Sequence, residues 1–175
     1  SSFIIHHSSF IIHTMDLMQE LAKIVNQLSQ EGIEYAVCGG MALAIWGYPR
    51  ATLDIDMLAE HHSIVRLSQK LKDLGFDMNQ TIMPLGEVNI CRFYRIEPSG
   101  ETLVLDILFI PDSMKEVWES RQVVKVNDNP LVVVSPEGLI SLKLLRNNLQ
   151  DKADIEYLSE FMTKNPIDER FSEKK

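Results

Sequence analysis

The chain has 175 residues, 45% of them hydrophobic and 24% charged, with a formal net charge of −8. That length and apolar share fit one globular α/β domain with its own core. No apolar run reaches the roughly 18 residues of a membrane helix, and the acidic balance argues against a protein that coats nucleic acid by bulk charge. Cys38 and Cys91 lie in apolar, strand-like contexts with no Cys-x-x-Cys pair, which argues against a disulfide framework and for a reducing cytoplasm.

The first fourteen residues, SSFIIHHSSFIIHT, nearly repeat themselves and are followed by Met15. They lack the basic start and cleavage site of a signal peptide. Residues 1–14 are expected to be a leader foreign to the native chain, the alternative being a natural two-copy repeat, with a single domain over 15–175, and His6, His7 and His13 carry no functional weight. Leu17, Leu21, Ile24, Val25 and Leu28 recur at helical spacing over 15–31, and Gly32 ends that helix. IEYAVC predicts a buried strand ending at Gly39-Gly40, MALAIWG a short helix broken by Tyr48-Pro49-Arg50, and LDIDML a second strand.

HSIVRLSQKLKDLG predicts an amphipathic helix, and His61-His62 before it a solvated turn. VNICRFYRIE and TLVLDILFI, separated by Pro98-Ser99-Gly100, predict an antiparallel pair in which Arg92 and Arg95 fall on opposite faces. A short helix over 114–120 leads to strand-like QVVKV and LVVV. Two helices close the chain, SPEGLISLKLLRNN with Ser135 as N-cap and Pro136 at N1, and KADIEYLSEFMTKN. The terminal FSEKK is expected to fray. The expected architecture is α/β (α+β), a mixed or antiparallel sheet flanked by helices.

Asp54 and Asp56 stand two apart in an apolar strand, so both carboxylates share one face, while Leu53, Ile55 and Met57 point to the other, buried face. Two adjacent carboxylates repel, and one is pushed toward protonation unless a cation holds both ionised. Mg²⁺ is such a cation, a hard ion satisfied by a few oxygen ligands. Asp106 lies in a second apolar strand, LVLDILF. If the two strands are neighbours, three carboxylates converge and suit two metal ions roughly 3.5–4 Å apart, as used for in-line displacement at phosphorus. The structural alternative is that these aspartates pair with Arg50 or Arg92. Gly39-Gly40, between strand and helix, lets a phosphate approach free backbone N–H groups.

Strand, Gly-Gly, a spacer, Asp-x-Asp, then a later strand aspartate resembles the signature of the DNA polymerase beta-like nucleotidyltransferases, carried here by Gly39, Gly40, Asp54, Asp56 and Asp106. The resemblance spans Met15 to about Met162, with its motifs in residues 36–58 and 103–109. Within that superfamily the chain is most similar to the abortive-infection type of toxin–antitoxin systems. Arg50 and Thr52 match its Arg-x-[Thr/Ser]-x-Asp-[Ile/Leu]-Asp element, and LKLLRNNLQDKADIEYL, with Lys143, Arg146, Asp151 and Asp154, is similar to its later Lys/acidic helix. Gly40 departs from the serine often found there, the larger members' C-terminal domain has no counterpart, and MALAIWG replaces the arginine-rich helix of the small antitoxin type.

The resemblance implies Mg²⁺-dependent transfer of an NMP from an NTP to a hydroxyl acceptor. Asp54, Asp56 and Asp106 would be catalytic and metal-binding, and Gly39, Gly40, Arg50, Thr52 and Lys143 would bind nucleotide. Lys143 interrupts the apolar arc of its helix, between Leu139 and Ile140 on a helical wheel, and Arg146, the weaker candidate for the triphosphate, interrupts it between Leu142 and Leu139. The Lys143 stem could equally snorkel past its neighbours. Asp151 and Asp154 suit the start of the last helix on dipole grounds alone, and Arg50 suits either a phosphate or the Asp54–Asp56 pair. The expected acceptor is RNA or protein. The rivals are a small antibiotic nucleotidyltransferase, which Met41 and Thr52 match poorly, and a non-catalytic antitoxin-like binding module. Neither oligomeric state nor a membrane or disulfide-linked partner is indicated.

Overall fold

The computed structural model describes residues 17–48 and 50–166. The proposed leader 1–14, Pro49 and the terminal FSEKK lie outside the described residues. The centre of the domain is β1 (Ala36–Cys38), three fully buried residues. Around it seven strands form one mixed sheet in the order β3-β4-β5-β2-β1-β7-β6. These are β2 (Asp54–Glu60), β3 (Asp77–Leu85), β4 (Val88–Ile96), β5 (Thr102–Ile110), β6 (Gln122–Val126) and β7 (Asn129–Val133).

β2 and β5 run parallel, whereas β4–β5 and β1–β2 are antiparallel. Because side chains alternate along a strand, one register settles the architecture. Cys38 pairs with Asp56, Asp56 with Asp106, and Asp106 with Arg92. These four residues form a row across four adjacent strands on one face of the sheet. Ile55, Met57, Leu105 and Ile107, out of phase with that row, are fully buried on the opposite face.

The helices are α1 (residues 17–30), α2 (Gly39–Ile45), α3 (Ile64–Asp73), α4 (Lys115–Glu119), α5 (Pro136–Arg146) and α6 (Leu149–Lys164). Arg95 is out of phase with Arg92. It donates to Glu20 of α1 and to the Leu74 carbonyl after α3, which places those helices behind the sheet. α5 lies on the aspartate side. It starts as expected, with Ser135 Oγ accepting the Gly138 N–H at 3.1 Å and Pro136 in the first turn. Asn147, at φ 49°, ends it in the left-handed conformation, and Asn148 caps α6 in a reciprocal box with Asp151. The hinge between the two helices is thus fixed by consecutive asparagines.

Four local expectations are corrected. β1 is shorter than IEYAVC. Leu53 is 68% exposed, because β2 begins only at Asp54. β3 comes from DMNQTIMPL, a segment without apolar alternation that is almost wholly exposed, tolerates Pro84 and shifts register between Met78 and Ile82. Those are properties of an edge strand, where half of the backbone needs no partner. The last helix starts at Leu149 rather than Lys152, because Asn148 supplies the cap. Among the described residues no helix is long and apolar enough to cross a membrane, and both cysteines are free and buried.

Candidate active site

A cavity of about 390 Å³ opens between the aspartate face of the sheet and α5. Its floor holds Asp54, Asp56 and Asp106, and its rim holds Gly39, Gly40 and Thr52. Arg50, Lys143 and Arg146 supply positive charge to its walls, and Leu85, Ile90, Leu108, Leu139 and Leu142 form an apolar wall. Every residue singled out from the sequence as a site residue therefore lines one cavity.

The glycines are required by sterics. Gly39 has φ +63°, and a Cβ there would lie 2.1 Å from Oδ2 of Asp56. A Cβ on Gly40 would come within 2.8 Å of the Thr52 side chain. The turn out of β1 is thus pressed against the first carboxylate pair, and only a residue without a side chain permits that approach. Thr52 Oγ1 donates to the Asp54 carbonyl at 3.1 Å, tying the entry of β2 to the same corner.

Burial raises the carboxyl of Asp56 to about 7, with the negative charges of Asp106 and Asp54 adding to the shift. Asp54 is raised for the same reasons, burial first and then Asp106, while Arg92 pulls it back. Arg92 meets Asp106 side-on, Nε to Oδ1 at 2.8 Å and Nη2 to Oδ2 at 2.7 Å. Burial and the Asp56 charge also push the Cys38 thiol well up, so it is a neutral thiol in the cavity wall.

A second charged cluster sits across the cavity. Lys143, 5% exposed, donates to Asp154 at 2.7 Å and lies 3.6 Å from Asp151. Arg50 forms an ion pair with the same Asp154, and Gln150 donates to its other oxygen at 3.1 Å. Arg146 forks onto Asp151 at 2.8 and 2.7 Å. Burial alone would raise Asp151, but the bonds from Arg146 and from the Asn148 N–H hold its carboxyl below the ordinary value.

Two expectations change here. Arg50 does not clamp Asp54 and Asp56, because Asp154 takes its guanidinium. Asp154 is no mere dipole partner, being fully buried between two cations. It is a site-forming residue that its position at a helix start conceals. The structural alternative of an aspartate paired with Arg92 is met at Asp106, directly opposite it across β4 and β5.

Among the described residues, no three Asp, Glu, His or Cys side chains are gathered closely enough to hold one metal ion. Both oxygens of Asp106 are engaged by Arg92. The donor set nevertheless fits a hard divalent cation, being all carboxylate, and Asp56 is raised by burial first and then by its like-charged neighbours, against which Arg146 and Lys143 act.

Sheet order, parallel β2–β5 pair and glycine turn define the nucleotidyltransferase fold, and solved structures agree. The lincosamide antibiotic adenylyltransferase LnuA, lincomycin-bound, matches with 18% identity and a TM-score of 0.55 over 82% of this chain and 96% of its own. ANT(2″)-Ia in complex with adenylyl-2″-tobramycin matches with 16% identity and a TM-score of 0.59 over 86% and 90%. TM1012 of Thermotoga maritima, a candidate nucleotidyltransferase, matches with 17% identity and a TM-score of 0.58 over 85% and 94%. At these identities the likeness is one of fold. No family model matches the chain, and no curated protein does.

Proposed function

We propose that the protein is a Mg²⁺-dependent nucleotidyltransferase that moves an NMP from an NTP, ATP among them, to a hydroxyl acceptor. The observation that carries this reading is the placement of three carboxylates from two parallel strands on the floor of one cavity, opposite a cation cluster and beside a glycine turn. Asp54, Asp56 and Asp106 would hold Mg²⁺, expected as two ions, which when bound supply charge neutralisation at the reacting phosphate. The acceptor oxygen forms a bond to the α-phosphorus as the bond to the β-phosphate oxygen breaks, and pyrophosphate leaves. Asp106 takes the acceptor proton, and Gly39, Gly40, Thr52, Arg50 and Lys143 orient the triphosphate. Catalysis then rests on positioning and electrostatics.

The apolar wall of Leu85, Ile90, Leu108, Leu139 and Leu142 favours a small-molecule acceptor with an apolar face. The antibiotic adenylyltransferases that share the fold, and match it over most of their own length, support the same reading. A second reading has its own observation. Arg50, from the Arg-x-Thr-x-Asp-Ile-Asp element, and Lys143, from the later helix, meet on one aspartate, Asp154. That joins the two elements on which the resemblance to the abortive-infection type rests, and favours an RNA or protein acceptor in a toxin–antitoxin setting. The free buried cysteines suit a cytoplasmic site for either.

The test is incubation with Mg²⁺ and each α-³²P-labelled NTP, alongside total RNA, cell lysate or a panel of hydroxylated antibiotics, with Asp54→Ala/Asp56→Ala as control. Label transferred by wild type alone establishes the activity, and the labelled fraction identifies the acceptor class. Failure to bind Mg²⁺–nucleotide at all would sink the catalytic reading and leave the binding-module alternative.

A further inference from the structure

Arg92 stands directly opposite Asp106 in the β4–β5 register and engages both of its carboxylate oxygens. Fork-to-fork pairing of this kind is the strongest geometry open to an arginine and a carboxylate. Both residues line the cavity, so the pair is no remote staple of the sheet. The Asp106 side chain is 10% exposed, whereas that of Arg92 is 38% exposed and so has solvent to move into.

We propose that Arg92 is a latch residue, which stands in for a metal ion in the metal-free protein by holding Asp106 and yields at least one Asp106 oxygen when the cation enters. The inference rests on the nucleotidyl-transfer reading for the role of Asp106. Without Arg92 three carboxylates on neighbouring strands would face one another with no cation at contact distance. With it, the cluster keeps its geometry, at the expense of competing with the metal for the third ligand. The latch is a positioning device, and Arg92 need not touch the reacting atoms.

Competition of this kind has a sign that a purely structural ion pair lacks. Replacing Arg92 by Met removes both the competitor and a nearby positive charge, so Mn²⁺ alone, titrated into the full chain and followed by electron paramagnetic resonance of the free ion, is expected to bind on the order of tenfold more tightly. The melting temperature of Arg92→Met should fall in chelator yet rise more than that of wild type when Mg²⁺ is added. Arg92→Lys, which keeps the charge but not the fork, is expected to tighten Mn²⁺ binding severalfold, and it decides the matter if Arg92→Met does not fold. In an Asp106→Asn background the same substitutions should lose most of their effect, since neighbours coupled through one contact are non-additive. Equal or weaker Mn²⁺ binding by the Arg92 variants would overturn the latch and leave the metal-dependent reading standing. Absence of Mn²⁺ binding from wild type and variants alike would overturn both.

Discussion

The Asp56 carboxyl gives the sharpest prediction about the metal-free protein. In the unfolded chain it titrates near the ordinary aspartate value of roughly 3.9, and in the folded protein it titrates at about 7. Between those values the folded state binds more protons than the unfolded state, so stability falls as pH rises. The loss sets in near pH 4 and is complete a little above pH 7. A rise of this size is worth about 4 kcal/mol, of which about 2.5 kcal/mol falls between pH 5 and pH 8.

Asp56→Asn keeps the shape and has no such titration. Relative to wild type in chelator, it should therefore gain about 2.5 kcal/mol more at pH 8 than at pH 5. For a chain of this size that is a differential of roughly 5–10 °C in melting temperature. Comparing the two proteins at each pH cancels the titrations they share. Added Mg²⁺ should shrink or reverse the advantage at pH 8, because only wild type keeps the full set of proposed ligands. A difference between the two melting temperatures that does not change with pH would refute the argument that burial and like charge strain this carboxylate.

Asp154→Ala leaves Arg50 without its ion pair and Lys143, 5% exposed, without its nearest anion. Breaking a buried pair in this way costs about 3–5 kcal/mol, so urea denaturation should place the midpoint far below wild type, and a change under about 1 kcal/mol would show that Asp154 is not the hub of the cluster. Gly39→Ala puts a Cβ 2.1 Å from the Asp56 carboxylate at a φ of +63°. It should lose at least about 2 kcal/mol together with Mn²⁺ binding, and retention of wild-type Mn²⁺ affinity would mean that Asp56 can move aside freely.

What the sequence discloses follows from how local its signals are. Asp54 and Asp56 share a face because strands alternate, and that needs no knowledge of neighbours. The apolar run around Asp106 marks a central strand for a similar reason, and the structure sets that strand beside β2. β3 escapes a reading of the sequence because an exposed edge strand carries no alternation. The partners of Asp154 escape it because its pairing with Arg50 joins residues far apart in the chain and no periodicity records it, whereas the alternative of an aspartate paired with Arg92 is met at Asp106. Lys143 stands out because it breaks an apolar arc, a local anomaly, but what it meets on α6 is not legible.

The two charged clusters give the cavity a direction. On the sheet side three carboxylates, Asp54, Asp56 and Asp106, stand beside one guanidinium, that of Arg92, which is bound to Asp106. On the helix side Asp151 and Asp154 face three cations, Arg50, Lys143 and Arg146, and positive charge is in excess. In the proposed reaction Asp54, Asp56 and Asp106 would hold the metal, and the cations beside α5 would complement the charge of the triphosphate. The apolar residues Ile90 and Leu108, paired with each other next to Arg92 and Asp106, would be left to meet the acceptor. Polarity across a single cavity would thus sort the substrates of the proposed reaction.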